Sequence, residues 1–301
     1  MTLPGITELD IRLRVAGASD AGQARPENQD SFLIEDLTTS LIDDASQGAG
    51  RLPREAHETR EIALGSTGAL LMFADGMGGA ASGRLAGRMA TAHVLDSLTR
   101  HWVTQRGPSP ERFVSCLRSA VEASNALIHE QSNMHPSYMG MGTTATVAGV
   151  LGDYVYLAQV GDSRAYLVRD GVCTQLTKDQ SFANYALEMG VMSPDQVESS
   201  PQRNTLLQAL GPSPTVDVDV TYQHLRRGDV LVLCSDGLFR VVTEEEIAEM
   251  AAQSLEGACE RLVDLANERG SPDNVTVVVA RFFGDGLDLP QRRDAVGHQP
   301  I

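Results

Sequence analysis

Four short motifs that contain aspartate stand at or beside the ends of segments that read as β-strands. No Lys or Arg adjoins Asp75, Asp236 or Asp273 in the sequence. Carboxylates that a fold brings together need a counter-charge, because burying unpaired charges costs too much free energy. The pattern therefore points to a divalent metal ion bound by the four motifs, which are Asn28-Gln29-Asp30, Asp75-Gly76-Met77-Gly78-Gly79, Ser235-Asp236-Gly237 and Asp273-Asn274.

Each Asp-Gly pair also has a purely structural interpretation, because Asp-Gly is a common tight-turn dipeptide. Asp170-Gly171 is interpreted as such a turn, whereas Asp75 and Asp236 follow continuous apolar runs. The glycines after Asp75 let the backbone approach a ligand, and the carbonyl of Gly76 beside a carboxylate suits a hard cation. All these candidate ligands are oxygen atoms, which favours Mg²⁺ or Mn²⁺ over Zn²⁺ or copper.

The composition limits the class of partner. The 301 residues are 42% hydrophobic, and 24 Lys plus Arg against 40 Asp plus Glu give a net charge of −16. This acidity argues against nucleic acid or an anionic membrane as the main partner. The four cysteines are widely spaced in apolar stretches, which favours buried thiols in a reducing compartment. With no signal-peptide pattern and no apolar run of 18 residues, the sequence predicts a cytoplasmic protein without a membrane span.

The segments between the motifs read as strands and amphipathic helices. Apolar residues at three- and four-residue steps predict helices over 85–102 and 113–128, and two more begin near residues 243 and 255. Such an order predicts one α+β domain with sheets packed on each other and helices outside. The predicted strands are 11–18, 30–34, 69–74, 143–151, 154–160, 164–168, 216–222, 229–234 and 275–282.

Residues 10–284 are expected to form this domain. Within it, the polar stretch 35–66 reads as a long surface loop or insertion, and residues 178–211 read as a small helical lobe between strands. Residues 285–301 read as a polar C-terminal tail.

The motifs, taken in order, resemble the metal-dependent type-2C (PPM) family of protein serine/threonine phosphatases in its bacterial form. Each segment alone is a weak match, whereas the ordered set over roughly residues 12–283 is specific. The matching segments are S-D-A-G-Q-A-R-P-E-N-Q-D-S at 19–31, F-A-D-G-M-G-G at 73–79, G-M-G-T-T-A at 140–145, V-G-D-S-R-A-Y at 160–166, Q-L-T-K-D at 175–179, S-P-Q-R at 200–203, L-C-S-D-G-L at 233–238 and S-P-D-N-V-T-V-V at 271–278.

The resemblance implies a four-layer α-β-β-α sandwich, in which two antiparallel β-sheets pack face to face with helix pairs outside. It implies that Asp75 bridges two metal ions and that the carbonyl of Gly76 binds the second ion. Asp236 and Asp273 would complete the protein shell of the first ion. Asp30 would act at the second ion, partly through water.

The implied reaction is hydrolysis of phosphoserine and phosphothreonine in proteins by a water that bridges two Mn²⁺ or Mg²⁺ ions. Asp75, Asp236 and Arg25 form the implied catalytic set, with Arg25 binding the substrate phosphate through its planar guanidinium. Asn274 and Asp162 are expected to support the site and its loops. The resemblance implies direct attack by this water without a phospho-enzyme, and the sequence has no G-x-x-x-x-G-K-[ST] loop.

Three departures from the family pattern stand out. Many relatives carry a histidine in or just after the D-G-x-G-G loop, where this chain has Met77 and Ala80, so metal-bound water or a distant histidine would protonate the leaving group. Some relatives carry an aspartate before G-T-T that helps hold a third metal, whereas residues 136–141 contain no acid. The stretch from Asp30 to Asp75 is longer than in most bacterial members.

Three functions are compatible with these motifs. The favoured one is a monomeric phosphatase that opposes bacterial Ser/Thr kinases, with phosphorylated Ser/Thr proteins and a cognate kinase as partners. A phosphoprotein-binding regulator with weak catalysis is disfavoured, because all four metal-site aspartates are present. A dinuclear hydrolase of small phosphate esters or nucleotides would use the same metal chemistry.

Residues 178–211 match the variable flap of the family. This segment could determine substrate choice or be a plain structural lobe, and Phe182 and Tyr185 are its candidate substrate contacts.

Overall fold

Apolar and alternating runs form two antiparallel sheets in the computed structural model, which describes residues 10–38, 59–104, 109–253, 255 and 257–301. The larger sheet has the order β10-β9-β12-β13-β1-β3 and the second has β11-β8-β7-β4-β2, while β5 and β6 form a short separate pair. The strands are β1 (Arg12–Asp20), β2 (Ser31–Asp36), β3 (Arg60–Ala63), β4 (Ala69–Ala74), β5 (Gly76–Met77), β6 (Gly142–Thr143), β7 (Ala145–Leu151), β8 (Tyr154–Val160), β9 (Arg164–Arg169), β10 (Val172–Gln175), β11 (Asp219–His224), β12 (Val230–Cys234) and β13 (Val275–Phe283).

Helices cover both outer faces of the paired sheets. A π-helical turn (Thr99–Val103) continues the first helix. Local capping sets where the helices begin: the Ser109 side chain accepts a hydrogen bond from the Arg112 amide, and Thr243 forms a capping box with Glu246. The α-helices of the described residues are α1 (Ala80–Leu98), α2 (Pro110–Met134), α3 (Phe182–Glu188), α4 (Pro194–Glu198), α5 (Asp236–Phe239), α6 (Glu244–Ala252) and α7 (Ala258–Glu268).

Three apolar layers hold these elements together. The central layer lies between the two sheets and joins residues such as Leu71 and Phe73 of β4 to Leu231 of β12. A second layer packs α1 and α2 on the five-stranded sheet, and a third packs α6 and α7 on the six-stranded sheet. Side chains on both faces of central strands are therefore buried, which accounts for their continuous apolar sequences. The four-layer α-β-β-α sandwich implied by the sequence is confirmed.

The strand register brings the aspartate motifs to one end of the sandwich. Ser31 pairs with Ala74 in the β2–β4 ladder, so Asp30 and Asp75 leave neighbouring strands at the same edge. Asp20 pairs with Val275 in the β1–β13 ladder, which sets the loop after β1 beside the residues that precede β13. The β12–β13 ladder ends with Cys234 opposite Val277. Four motifs that are distant in sequence are thus neighbours in space.

Two expectations about irregular segments need correction. The stretch 35–66, read as a loop, includes the end of β2 and the edge strand β3, which pairs with β1. The β3 sequence R-E-I-A buries one side chain, Ile62, and so gives little periodic signal. Residues 39–58 of that stretch lie outside the described residues.

The segment 285–301 is polar in sequence but folds back on the protein. Its backbone continues the five-stranded sheet, because the Ile301 amide donates to the Val220 carbonyl (2.9 Å) and the Tyr222 amide donates to the Gln299 carbonyl (3.0 Å). Leu287 is buried in the layer between the sheets. The segment therefore covers the free edge of β11, a feature that composition alone does not show.

The lobe at 178–211 contains the two short helices α3 and α4. Its base is closed by an isolated bridge between Ser181 and Leu206 and by the Leu210–Thr143 bridge to β6. None of the helices in the described ranges combines the length and the apolarity that crossing a membrane requires.

Candidate metal centre

Asp30 lies directly before β2. One oxygen of its carboxylate accepts a hydrogen bond, and the other has no hydrogen-bond partner. Oδ2 accepts a hydrogen bond of 2.6 Å from the Thr276 hydroxyl on β13. The Asp30 amide donates to Asn28 Oδ1 (3.1 Å), which fixes the backbone before the strand. Oδ1 is buried and has no hydrogen-bond partner. A buried carboxylate oxygen without a donor is suited to a cation or to a cation-bound water.

Asp75 follows β4 and is held by the threonines before β7. Its amide donates to Thr144 Oγ1 (3.0 Å), and its carbonyl accepts from the Thr144 amide and from Thr143 Oγ1 (both 2.9 Å). Gly76 begins β5 immediately afterwards, and a Cβ atom there would overlap the Gly83 carbonyl of α1. The loop therefore needs glycine at this position, directly after Asp75 in the chain.

Asp236 opens α5 directly after β12. Oδ2 forms an ion pair of 2.9 Å with Nη2 of Arg240, one helical turn later. Oδ1 is buried without a hydrogen-bond partner, as in Asp30. The Ser235 hydroxyl donates to the Asn274 carbonyl (3.1 Å) and accepts from the Thr276 amide (2.9 Å), so α5 begins at a fixed distance from β13.

Asp273 lies in the turn before β13 and pairs with Arg25 from the loop after β1. Nη2 of Arg25 donates to Asp273 Oδ2 at 2.6 Å, while the Asn274 amide donates to Oδ1 at 2.9 Å. Asn274 ties the two loops together, because its side chain donates to the Ala21 and Glu27 carbonyls and accepts from the Gln29 amide. These contacts agree with a supporting position for Asn274.

Mutual repulsion among the carboxylates shapes the electrostatics. Burial raises the pKa of Asp75 well above its ordinary value, and the charges of Asp30, Asp236, Asp273 and Asp162 raise it further. Burial is also the main cause of the raised pKa values of Asp30 and Asp236. Because a divalent cation removes this repulsion, the five aspartates, called the aspartate cluster below, favour cation binding.

Asp162 joins this cluster, whereas the resemblance implied only that it supports the site and its loops. It lies just before β9, its side chain is buried, and its pKa is raised to about 7, chiefly by burial and then by Asp236. No signal local to V-G-D-S-R-A-Y distinguishes an acid that faces other acids from one that caps a loop.

The arrangement fits a hard divalent ion, since the donors are carboxylate and carbonyl oxygens and two carboxylate oxygens lack partners. Among the described residues, no group of three or more acidic, histidine or cysteine side chains is arranged to hold a metal ion on its own. Arg25 and Arg240 instead each hold one oxygen of Asp273 and Asp236.

Three contacts at the site were not found by sequence reasoning. The sequence indicates Thr276 only as part of a β-branched strand, yet its hydroxyl donates to Asp30 and also lies 2.6 Å from Ser19 Oγ. Arg240 stands four residues after Asp236, a spacing that predicts an ion pair once a helix is assumed there.

Phe182 is half-buried and Tyr185 is exposed on α3, and their expected contact with substrate stays a prediction.

Comparison with known proteins places the chain among bacterial phosphatases. The family model described as Protein phosphatase 2C matches residues 55–268. The serine/threonine protein phosphatase PstP of Mycobacterium tuberculosis is 40% identical over 215 residues, which cover 70% of this chain and 40% of PstP. The match therefore spans less than half the length of that relative.

Solved structures agree with the fold over most of the chain. The S. agalactiae serine/threonine phosphatase superimposes with a TM-score of 0.73 at 29% identity, covering 89% of this chain and 99% of that one. The catalytic domain of PstP in complex with two manganese ions gives a TM-score of 0.69 at 33% identity, covering 91% and 99%.

Proposed function

The chain belongs to the protein phosphatase 2C family, and from that premise we propose that it is a metal-dependent phosphatase that hydrolyses phosphoserine and phosphothreonine in proteins. The observation that carries the proposal is the aspartate cluster at the end of the sandwich, with unpartnered buried oxygens on Asp30 and Asp236. Similarity to PstP, whose catalytic domain is solved with two manganese ions, supports it.

The residues present suit two ions. Asp75, Asp236 and Asp273 would hold the first, and Asp75, the Gly76 carbonyl and Asp30 would hold the second. Such a pair of ions, when bound, makes a shared water acidic enough to act as a nucleophile at neutral pH. Thr276 keeps Asp30 in place through its 2.6 Å hydrogen bond, and the contacts of Asn274 keep the loop that carries Asp30 against β13.

Arg25 is the group best placed to bind the substrate phosphate. Its side chain is 46% exposed, so it can be reached from solvent, and its guanidinium already lies 2.6 Å from a carboxylate of the cluster. A guanidinium offers paired N–H donors to phosphoryl oxygens and offsets their charge as it does for a carboxylate. Arg25 would then hold a phosphate directly beside the cluster.

The leaving group also needs a proton. Four described histidines hydrogen-bond to groups outside the aspartate cluster: His93, His129, His224 and His298. We assign that proton to water at the site, consistent with Met77 and Ala80 at the positions where many relatives carry histidine.

The finer parts of the proposal follow from the same reading of the family. They are Mn²⁺ or Mg²⁺ as the ions, phosphorylated bacterial proteins as substrates, a cognate Ser/Thr kinase as the opposing enzyme, a monomer as the working unit and the cytoplasm as the compartment. Residues 10–284 would be the catalytic unit, with 178–211 as its flap.

Release of phosphate from a phosphothreonine peptide tests the proposal. We expect turnover with Mn²⁺, none with excess EDTA, and none in Asp75→Asn, whereas Asp264→Asn, an exposed carboxylate on α7, should behave as wild type. A nucleotide and a small phosphate ester are run in parallel. Faster turnover of either than of the peptide would replace the proposal by a small-molecule hydrolase, and metal binding without turnover of any substrate would replace it by a binding regulator.

A further inference from the structure

Arg240 links the candidate metal centre to the flap, defined here as residues 178–211. Its Nη2 forms the 2.9 Å ion pair with Asp236 Oδ2, and its Nη1 donates to Asn204 Oδ1 at 2.6 Å. Asn204 belongs to the flap and lies 36 residues from Arg240 in sequence. One guanidinium thus holds an acid of the metal centre and a side chain of the flap at the same time.

The position of Arg240 is set by α5. Arg240 ends the helix that Asp236 begins, and its amide donates to the Asp236 carbonyl at 3.2 Å. The turn is packed from below by the buried Leu238 and by Gly237, whose missing Cβ leaves room for the Asn274 carbonyl. This short helix holds the Asp236 and Arg240 side chains at i,i+4 spacing and within ion-pair distance.

Asn204 stands next to the base of the flap. The Phe182 amide donates to the Thr205 carbonyl and the Leu207 amide to the Gln180 carbonyl, both at 2.8 Å. Asn204 itself is exposed. The hydrogen bond from Arg240 is consequently placed where the loop after α4 enters the base, and it restrains the flap at that point.

A second contact fastens α5 to the other strand of the flap base. Arg164 binds Asp179 through two nitrogens and stacks on the ring of Phe239, with its Cζ 3.8 Å from the ring centre. Asp179 belongs to the start of the flap. The flap is therefore linked to α5 on two sides, through Arg164 and through Arg240, and the Arg240 link includes Asp236 of the aspartate cluster.

A metal ion at Asp236 would weaken the ion pair between Asp236 and Arg240 for electrostatic reasons. Asp236 offers Oδ2 to Arg240 and leaves Oδ1 unpartnered, so a cation on Oδ1 and the guanidinium share one carboxylate. A divalent ion takes up most of the negative charge that attracts Arg240, and it repels the guanidinium directly. Binding of the ion and the ion pair with Arg240 are then mutually unfavourable, and by linkage each weakens the other by the same factor.

We propose that Arg240 is a positioning residue that latches the flap to Asp236 in the metal-free protein and loosens that latch when a metal ion binds. The proposal rests on the proposed function in one respect, the binding of a divalent ion at Asp236. It adds a regulatory consequence: the flap becomes mobile only in protein whose metal centre is filled.

Arginine is required for this arrangement. Its planar fork presents separate N–H groups to Asp236 and Asn204, whereas the single ammonium of lysine is a point charge on a flexible stem. Arg240→Lys is therefore expected to keep the charge near Asp236 and to lose the hydrogen bond to the flap. Asn204→Ala removes the flap side alone and leaves every group of the metal centre in place.

Hydrogen exchange of flap residues 199–207, measured by mass spectrometry with Mn²⁺ and with EDTA, tests the latch without any activity assay. In wild type we expect slow exchange in EDTA and faster exchange with Mn²⁺. In Asn204→Ala and Arg240→Lys we expect fast exchange under both conditions. Arg203→Ala is the matched control, because it removes a neighbouring flap arginine whose partner, Glu198, lies inside the flap, and it should keep the response to Mn²⁺.

Calorimetric titration with Mn²⁺ supplies a second readout. Arg240→Ala should bind Mn²⁺ roughly fivefold or more tightly than wild type, the lower end of common coupling between sites, because a competing cation is gone. Arg240→Lys should stay near wild type. Weaker binding by Arg240→Ala, or flap exchange in EDTA that is equal in wild type and Asn204→Ala, would overturn the latch. The EDTA comparison needs neither metal nor turnover, so failure of the latch is distinguishable from failure of the proposed phosphatase activity.

Discussion

The buried carboxyl of Asp162 should make the metal-free protein less stable as the pH rises. Its pKa is raised to about 7 from an ordinary value near 3.8, mainly by burial and then by the charge of Asp236. Below pH 4 the group is protonated in both the folded and the unfolded chain and contributes nothing. Between about pH 4 and pH 7 the folded state retains a proton that the unfolded chain has lost, so the free energy of unfolding falls with rising pH.

The size of this effect follows from the shift. A difference of about three pH units corresponds to roughly 4 kcal/mol, reached in full above pH 7. Asp162→Asn replaces the carboxyl by a neutral group of nearly the same shape. The variant should therefore match wild type at pH 4 and exceed its free energy of unfolding by up to about 4 kcal/mol at pH 8.

Urea unfolding of the EDTA-treated protein from pH 4 to pH 8 measures this difference. Asp264→Asn, an exposed carboxylate on α7, is the control and should follow the wild-type profile. Addition of Mn²⁺ should reduce the difference at pH 8, because the ion neutralises the cluster that repels Asp162. An Asp162→Asn variant no more stable than wild type at pH 8 would show that Asp162 does not lie in an acidic, desolvated site.

Two further predictions concern contacts that position the site and the C-terminal segment. The Thr276 hydroxyl donates a hydrogen bond to Asp30 and lowers the pKa of that carboxyl, and Thr276→Val removes it. The affinity for Mn²⁺, measured by calorimetry, should therefore fall about 10- to 100-fold in Thr276→Val and be retained in Thr276→Ser. Equal affinity in wild type and both variants would refute this role. Asp294→Asn weakens the two hydrogen bonds, 2.7 and 2.9 Å, that join Asp294 to the Arg226 guanidinium, and hydrogen exchange of residues 294–301 should rise without change in phosphate release. Unchanged exchange there would mean that the backbone pairing with β11 holds the segment alone.

The sequence predicts those parts of the fold that depend on local patterns. Continuous apolar runs identify the central strands β4 and β12, since both of their faces are buried, and aspartates directly after such runs mark the end of the sandwich where the site lies. The predicted strand 143–151 is nearly right but is interrupted at Thr144, whose side chain and backbone hold Asp75 instead of continuing the ladder.

The remaining features depend on which strands become neighbours. Thr276 meets Asp30 across 246 residues and Arg25 meets Asp273 across 248, and no local spacing encodes either contact. β3 buries only Ile62, so its apolar signal is too weak to distinguish it from a loop. The packing of 285–301 depends on a free edge at β11, and that edge can be recognised only once the strand order of the sheet is known.

Calorimetric titration of wild type and Asp75→Asn with Mn²⁺ tests the central claim, that the clustered aspartates form a dinuclear metal centre. Asp75 is the carboxylate assigned to both ions, and burial together with four neighbouring acids raises its pKa. Two Mn²⁺ ions should bind per wild-type chain, and both should be lost from Asp75→Asn at the same concentrations. Two ions bound by the variant with wild-type affinity would contradict it.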